Sequence, residues 1–167
     1  MILVADTGPL VGLAKIRVLM QLKHLTDTVL ISSAVRRERL GGAVGDEGSV
    51  LEEALGDLLR VEQPGTPAPD IEEAVMGLDP GERSVVTLAA TRDTSEADVV
   101  VLMDDQAGRR VAREVGLPVT GLIGVLLRLK EIGAIEAVTP HLETVRERGY
   151  WLSDEIIATA RRLAGED

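Results

Sequence analysis

Along this chain, short unbroken apolar runs alternate with longer segments whose apolar residues recur at helical spacing. Ile2 to Ala5 is the first such run, and Asp6 ends it. Thr28 to Ser32 and Asp98 to Met103 read the same way, the latter through Val99-Val100-Val101-Leu102. Leu59 to Glu62 and Leu117 to Thr120 are briefer strand candidates. Runs without polar alternation are what strands buried on both faces require.

Between them the spacing predicts helices from Pro9 to about Leu22, Ala34 to Leu40, Asp46 to Leu59, Asp70 to Met76, about Asp79 to Thr91, and Ala107 to Val115. Three more helices close the chain near Leu122 to Ile132, His141 to Arg148 and Asp154 to Leu163. Punctuation supports these limits. Pro9 suits a first helical turn, Ser33 and Ser153 are capping types, and Gly41-Gly42 suits a helix end. The clearest loop is Pro64-Gly65-Thr66-Pro67-Ala68-Pro69, but no change of composition follows it.

Strands alternating with helices imply parallel pairing through right-handed crossovers. The expected fold is therefore a three-layer α/β/α sandwich around a mostly parallel sheet of four to five strands, with extra helices at the C-terminal end. One domain is expected over residues 1–167, its C-terminal helical segment covering about 122–165.

Composition narrows the chemistry. Apolar residues make up 45% of the 167, yet aromatics only 1%, so branched aliphatics must build the core. There is no Cys, which excludes disulfides, thiolate nucleophiles and thiolate zinc sites. The opening MILVAD has no basic region, and no apolar run nears the roughly 18 residues of a membrane span. A cytoplasmic protein without membrane association is the expectation. A net charge of −10 argues against a non-specific DNA coat that neutralises many phosphates. Arginines cluster locally at Arg36, Arg37 and Arg39 and at Arg109, Arg110 and Arg113, a pattern that solvated helix faces also produce.

The acidic residues that fall at strand ends carry more information. Ligands of an open parallel sheet bind beyond the carboxyl ends of its strands. Asp6, Asp104 and Asp105 lie at such ends, Glu38 follows the second strand by one turn, and Glu82 lies in the first turn of a helix. Crowded carboxylates raise each other's pKa, and a divalent cation removes that conflict. Oxygen-only ligands point to Mg²⁺ or Mn²⁺ rather than Zn²⁺. Each residue also has a local explanation. Asp6 or Thr7 can cap the helix at Pro9, Asp79 and Glu82 have capping-box spacing, Asp105 can cap the next helix, and Glu38 stands among arginines.

The ordered set of these segments resembles the PIN-domain family, in its bacterial and archaeal branch related to toxin nucleases. Val4-Ala5-Asp6-Thr7-Gly8-Pro9-Leu10, with Leu13-Ala14-Lys15-Ile16, resembles the family's start. Ile31-Ser32-Ser33-Ala34-Val35 with Glu38 resembles the second motif, and Leu78-Asp79-Pro80-Gly81-Glu82-Arg83 the third. Val101-Leu102-Met103-Asp104-Asp105, with Arg109, Arg110 and Ala112, resembles the fourth. Many relatives carry Thr-x-Asp there, and Met103 takes the Thr position if Asp105 is the ligand, so Asp104 and Asp105 both stand as candidates.

The resemblance implies a metal-dependent endoribonuclease with Mg²⁺ or Mn²⁺ on Asp6, Glu38, Glu82 and Asp104 or Asp105, and with Thr7 orienting Asp6 or a water. It implies water as nucleophile, hence a 5′-phosphate and a 3′-hydroxyl and no catalytic role for His24 or His141. It further implies RNA as substrate, a small antitoxin as partner, and homodimers. The alternative is a catalytically silent PIN-like module that binds RNA or protein. Two other Mg²⁺ folds fit badly: a phosphotransfer receiver wants its acidic pair after the first strand, and a haloacid-type phosphatase wants Asp-x-Asp there, where residue 8 is Gly.

Overall fold

The computed structural model describes residues 1–40, 46–95 and 97–167. Among these residues five strands, β1 (Ile2–Ala5), β2 (Val29–Ser32), β3 (Leu59–Glu62), β4 (Val99–Leu102) and β5 (Val119–Thr120), form one sheet in the order β3-β2-β1-β4-β5. Every pairing is parallel. From β1 the chain builds outward through β2 to β3, then returns to the other side of β1 for β4 and β5. The direction of winding therefore reverses between β1 and β4. Their register pairs Ala5 with Leu102, so Asp6 and the Asp104-Asp105 pair leave the sheet side by side at its switch point.

The unbroken apolar runs are explained by burial on both faces. Val4, Ala5, Val29, Ile31, Val101 and Leu102 are fully enclosed. The edge strand β3 departs from this, with Arg60 and Val61 open to solvent.

Helices α4 (Pro69–Val75), α5 (Pro80–Ala90) and α6 (Gln106–Glu114) pack together, α5 lying against β1, β2 and β4. A second group holds α1 (Thr7–Lys15), α3 (Asp46–Ala54) and α7 (Leu122–Glu131), with α9 (Asp154–Ala164) packed on α7 and α8 (Thr139–Glu147) packed on α9. The three-layer sandwich with added C-terminal helices is the architecture observed. Glu166 ties that C-terminal group together, accepting hydrogen bonds from Lys130 Nζ at 2.7 Å and from the amides of Val138 at 2.7 Å and Thr139 at 2.8 Å. Among the described residues no helix is long and apolar enough to cross a membrane.

Three expected boundaries move. The first helix starts at Thr7 and stops at Lys15 rather than near Leu22, because Arg17 takes a left-handed φ of 58° that no α-helix continues through. A separate 3₁₀ segment, Leu19–His24, follows. The second helix is capped by Ser32, not Ser33: Ser32 Oγ accepts from the Val35 amide at 3.1 Å. Only Ser33–Val35 (α2) is α-helical, and Arg36–Leu40 widens into a π turn that carries Glu38. The helix from Asp46 ends at Ala54, leaving Leu55 to Leu58 as the approach to β3. The expected stop at Gly41-Gly42 lies outside the described residues.

Candidate active site

Asp6 occupies the position before α1 but makes no side-chain capping bond there. Its carboxyl is half-buried at the sheet's switch point, and burial pushes its pKa up to about 6. The Thr7 amide opposes that shift, while the charges of Asp79, Glu38 and Asp105 add to it. The local explanation of Asp6 as a helix cap therefore fails. A carboxyl kept partly out of water among other carboxyls is in the state that a cation would relieve.

Glu82, in the first turn of α5, shows the same stress. Burial and then the charges of Asp105 and Asp79 raise it to about 7. The capping-box pairing expected for Asp79 and Glu82 is seen from both residues. Asp79 Oδ1 accepts from the Glu82 amide at 2.8 Å, and the Asp79 amide in turn acts on the Glu82 carboxyl, which also meets the Asp105 side chain. The cap accounts for the placing of both residues, and the crowding of Glu82 against Asp105 is what it does not account for.

Glu38 reaches this group from the π turn after β2 and lies against the first turn of α5. A Cβ on Gly81 would stand 2.7 Å from Glu38 Oε2 and 3.3 Å from Asp79 Oδ1, so the bare α-carbon of Gly81 lets Glu38 lie that close. Two serines brace the same junction: Ser32 Oγ and Ser84 Oγ are 2.6 Å apart, and Ser84 Oγ donates to the Gly81 carbonyl at 2.7 Å.

Asp104 and Asp105 have separate surroundings. Asp105 caps α6, its Oδ1 accepting from the Gly108 amide at 3.0 Å, and its charge acts on both Asp6 and Glu82. Asp104 is turned toward the C-terminal helices. Its Oδ1 accepts from the Leu122 amide, in the first turn of α7, at 3.0 Å, and its Oδ2 accepts from the Tyr150 hydroxyl. Gly121 makes this possible, since a Cβ there would stand 2.2 Å from Asp104 Oδ1. Arg109 donates to the Met103 carbonyl at 2.9 Å and closes the end of β4.

Thr7 does not hold Asp6. Its Oγ1 is buried and has no hydrogen-bond partner among the described residues. Such an orphaned hydroxyl beside a raised carboxyl is an open demand for a water or an ion. The residues missed in the sequence are Asp79, legible only as a cap, and Tyr150. Tyr150 is the only tyrosine of a chain with 1% aromatics, and that rarity was the one available signal. Its hydroxyl feels Asp6 as well as Asp104, and burial followed by those charges raises its pKa.

The donor set fits a hard divalent cation, being carboxylate oxygen throughout with one orphaned hydroxyl beside it. Among the described residues, however, no three acidic or histidine side chains stand close enough to form a ready-made cation shell.

Among curated proteins, no sequence matches this chain. A family model described as a PIN domain matches residues 2–166, which takes in all five strands and every acidic residue discussed above. On that match, and with an all-parallel sheet whose switch point gathers these carboxylates, the chain belongs to the PIN-domain family.

Proposed function

We propose that this protein is a metal-dependent endoribonuclease that hydrolyses RNA phosphodiester bonds, acting as the toxin of a type II toxin–antitoxin pair. PIN domains are generally nucleases and typically use divalent metals. The observation that carries the reading for this chain is the convergence of Asp6, Glu38, Glu82, Asp79 and Asp105 at the sheet's switch point, where Asp6 and Glu82 are stressed by the same two neighbours. Asp6 leaves the end of β1 and Glu82 lies in the first turn of α5, yet both are raised well above the ordinary carboxylate range by burial and by the same neighbours, Asp79 and Asp105. Perturbed carboxyls that converge at a sheet's switch point mark functional sites more often than structural ones.

In this reading Asp6, Glu38, Glu82 and Asp105 hold Mg²⁺ or Mn²⁺, and Asp104 orients the end of β4. When bound, the ion supplies Lewis-acid stabilisation of the charge that builds on the phosphate and makes a water more acidic. The orphaned Thr7 hydroxyl fixes a water beside Asp6. Attack by water on phosphorus expels the ribose 3′-oxygen, leaving a 5′-phosphate and a 3′-hydroxyl. No histidine is needed, and both histidines stand outside the cluster, His24 exposed at the end of the 3₁₀ segment and His141 in α8. A small antitoxin partner, homodimer formation and a cytoplasmic location belong to the same proposal and rest on family resemblance.

The second reading, a silent RNA- or protein-binding module, draws on the open spacing of the carboxylates. End-labelled RNAs incubated with Mg²⁺, with Mn²⁺ and with EDTA separate the two. The expected result is cation-dependent cleavage with 5′-phosphate ends that disappears in Asp6→Asn. Cleavage in EDTA, or ends carrying a 2′,3′-cyclic phosphate, would contradict the mechanism, and no cleavage under any cation would favour the silent module.

A further inference from the structure

Helix α6 carries a basic stripe in a chain whose 28 acidic residues outnumber its 18 lysines and arginines. At about 3.6 residues per turn, Arg109, Arg113, Gln106 and Arg110 fall side by side on an arc of roughly 100°. The other side of the helix, with Gly108, Val111 and Ala112, is buried. Gln106, Ala107, Arg109, Arg110 and Arg113 line an open depression of about 650 Å³. Among the described residues, the one acid within ion-pair distance of these arginines is Glu114, 3.7 Å from Arg110. Both side chains of that pair are exposed, and such a pair contributes little in water.

The stripe starts at the carboxylates. Asp105 caps α6 through the Gly108 amide, and Gln106 is the next residue. Arg109, one turn on, donates from Nη1 to the Met103 carbonyl just past β4. A bond to a neutral carbonyl leaves its charge in place. The same Nη1 and Asp104 Oδ1 share the space over the bare α-carbon of Gly121, 2.7 Å and 2.2 Å from where a Cβ would stand. Arg109 is thereby fixed at the rim of the site. At about 1.5 Å per residue, Arg113 lies roughly 12 Å along the helix from Asp105. Arg110 and Arg113 are exposed.

We propose that this face of α6 is a phosphate track for the RNA strand, an inference that rests on the ribonuclease reading above. Arg110 and Arg113 bind backbone phosphates that follow the scissile one, and Arg109 joins the track to the carboxylates. A chain of net charge −10 repels RNA as a whole, so a strand that reaches the carboxylates needs a local cationic path. Arginine suits that path, because its planar fork matches phosphate oxygens and never loses its charge. The phosphates of one strand succeed one another outward from the cut, as a stripe leading away from the site requires. The helix has no aromatic residue on which a base could stack, so the track holds the backbone and reads no sequence.

The test is the salt dependence of binding. Two labelled single-stranded RNAs of unrelated sequence are titrated with the full-length protein across a range of KCl, and anisotropy is read. Ca²⁺ is present throughout, a hard oxygen-seeking ion with looser geometry than Mg²⁺. Each phosphate contact on a single strand contributes about 0.7 to the slope of log affinity against log salt. Arg110→Gln and Arg113→Gln should each lower that slope by about 0.7 and weaken binding about fivefold at about 0.1 M salt, equally for both RNAs. Arg113→Lys keeps the charge and should restore the slope. A slope that Lys does not restore, or a loss confined to one RNA sequence, would overturn a phosphate track. Wild-type slopes in both Gln variants, with RNA still bound and cut, would overturn the track and leave the nuclease reading intact. Polyglutamate is titrated in parallel, and variants that lose it while holding RNA as wild type would assign the face to an acidic protein segment instead. Absence of both RNA binding and cleavage in the wild type would remove the ribonuclease reading and the track together.

Discussion

The Tyr150 hydroxyl donates to Asp104 Oδ2 across 46 residues of sequence, joining the α8–α9 connection to the carboxyl end of β4. Asp104 Oδ1 is occupied by the Leu122 amide, so both carboxylate oxygens face the C-terminal helices. This bond makes the last helices part of the site's support.

Tyr150→Phe should therefore destabilise the fold by about 1–2 kcal/mol, because it leaves a partly buried acceptor without its donor. Urea unfolding of Tyr150→Phe, Asp104→Ala and the double variant should give a coupling of about 1 kcal/mol. Strict additivity would show that the two groups do not interact.

The carboxylate cluster should make cation-free stability depend on pH in a stated direction. The folded protein holds a proton on Asp6 up to about pH 6 and on Glu82 up to about pH 7, against ordinary values of 3.8 and 4.5. Their contribution is thus fully present below about pH 4 and is lost as pH rises toward 7. Asp6→Asn should match wild type at pH 4 and exceed it by about 1–2 kcal/mol at pH 8, while losing about a hundredfold or more in RNA cleavage. Thermal unfolding across that range, with and without Mg²⁺, tests this. A variant less stable than wild type at pH 8 would refute the assignment of strain to Asp6.

Gly81→Ala separates site geometry from stability. The new methyl would come 2.7 Å from Glu38 Oε2, the far end of a flexible side chain that can swing aside. Unfolding free energy should change by less than about 1 kcal/mol, since Ala favours helix and offsets the crowding. Mg²⁺-dependent cleavage should fall about tenfold or more as Glu38 is displaced. Wild-type cleavage by this variant would remove Glu38 from the machinery.

Glu166 should act in the opposite pH sense to Asp6. Its carboxyl would be raised by burial, but Lys130 and the amides of Thr139 and Val138 hold it down at about 2. Its contribution is present above about pH 4.5 and disappears as pH falls toward 2. Glu166→Gln should cost about 2 kcal/mol at pH 7 and progressively less below pH 4.5, read from urea midpoints at each pH. An undiminished cost at pH 2.5 would show that the charge is irrelevant to the clamp.

The strands were legible because their signal is local. An apolar run such as Val99-Val100-Val101-Leu102 means double-sided burial whatever surrounds it, and the acid after such a run must emerge at the sheet's edge. Helix ends were less legible where a single backbone choice decided them. Nothing in the residue type of Arg17 announces a left-handed φ, and Ser32 and Ser33 are equally good caps by type.

What the sequence by itself determined is the alternation of strands and helices, the absence of thiol and disulfide chemistry, and the placing of Asp6 and the Asp104-Asp105 pair at strand ends. What only the tertiary structure decided is which way the neighbouring carboxylates turn. Asp104 faces Leu122 and Tyr150, Asp105 acts on Asp6 and Glu82, and Asp79 adds its charge to both of those. Adjacent residues share every local preference, so their roles separate only when distant segments supply different partners. The field at a carboxylate is set by distance in space, and chain order does not encode that distance.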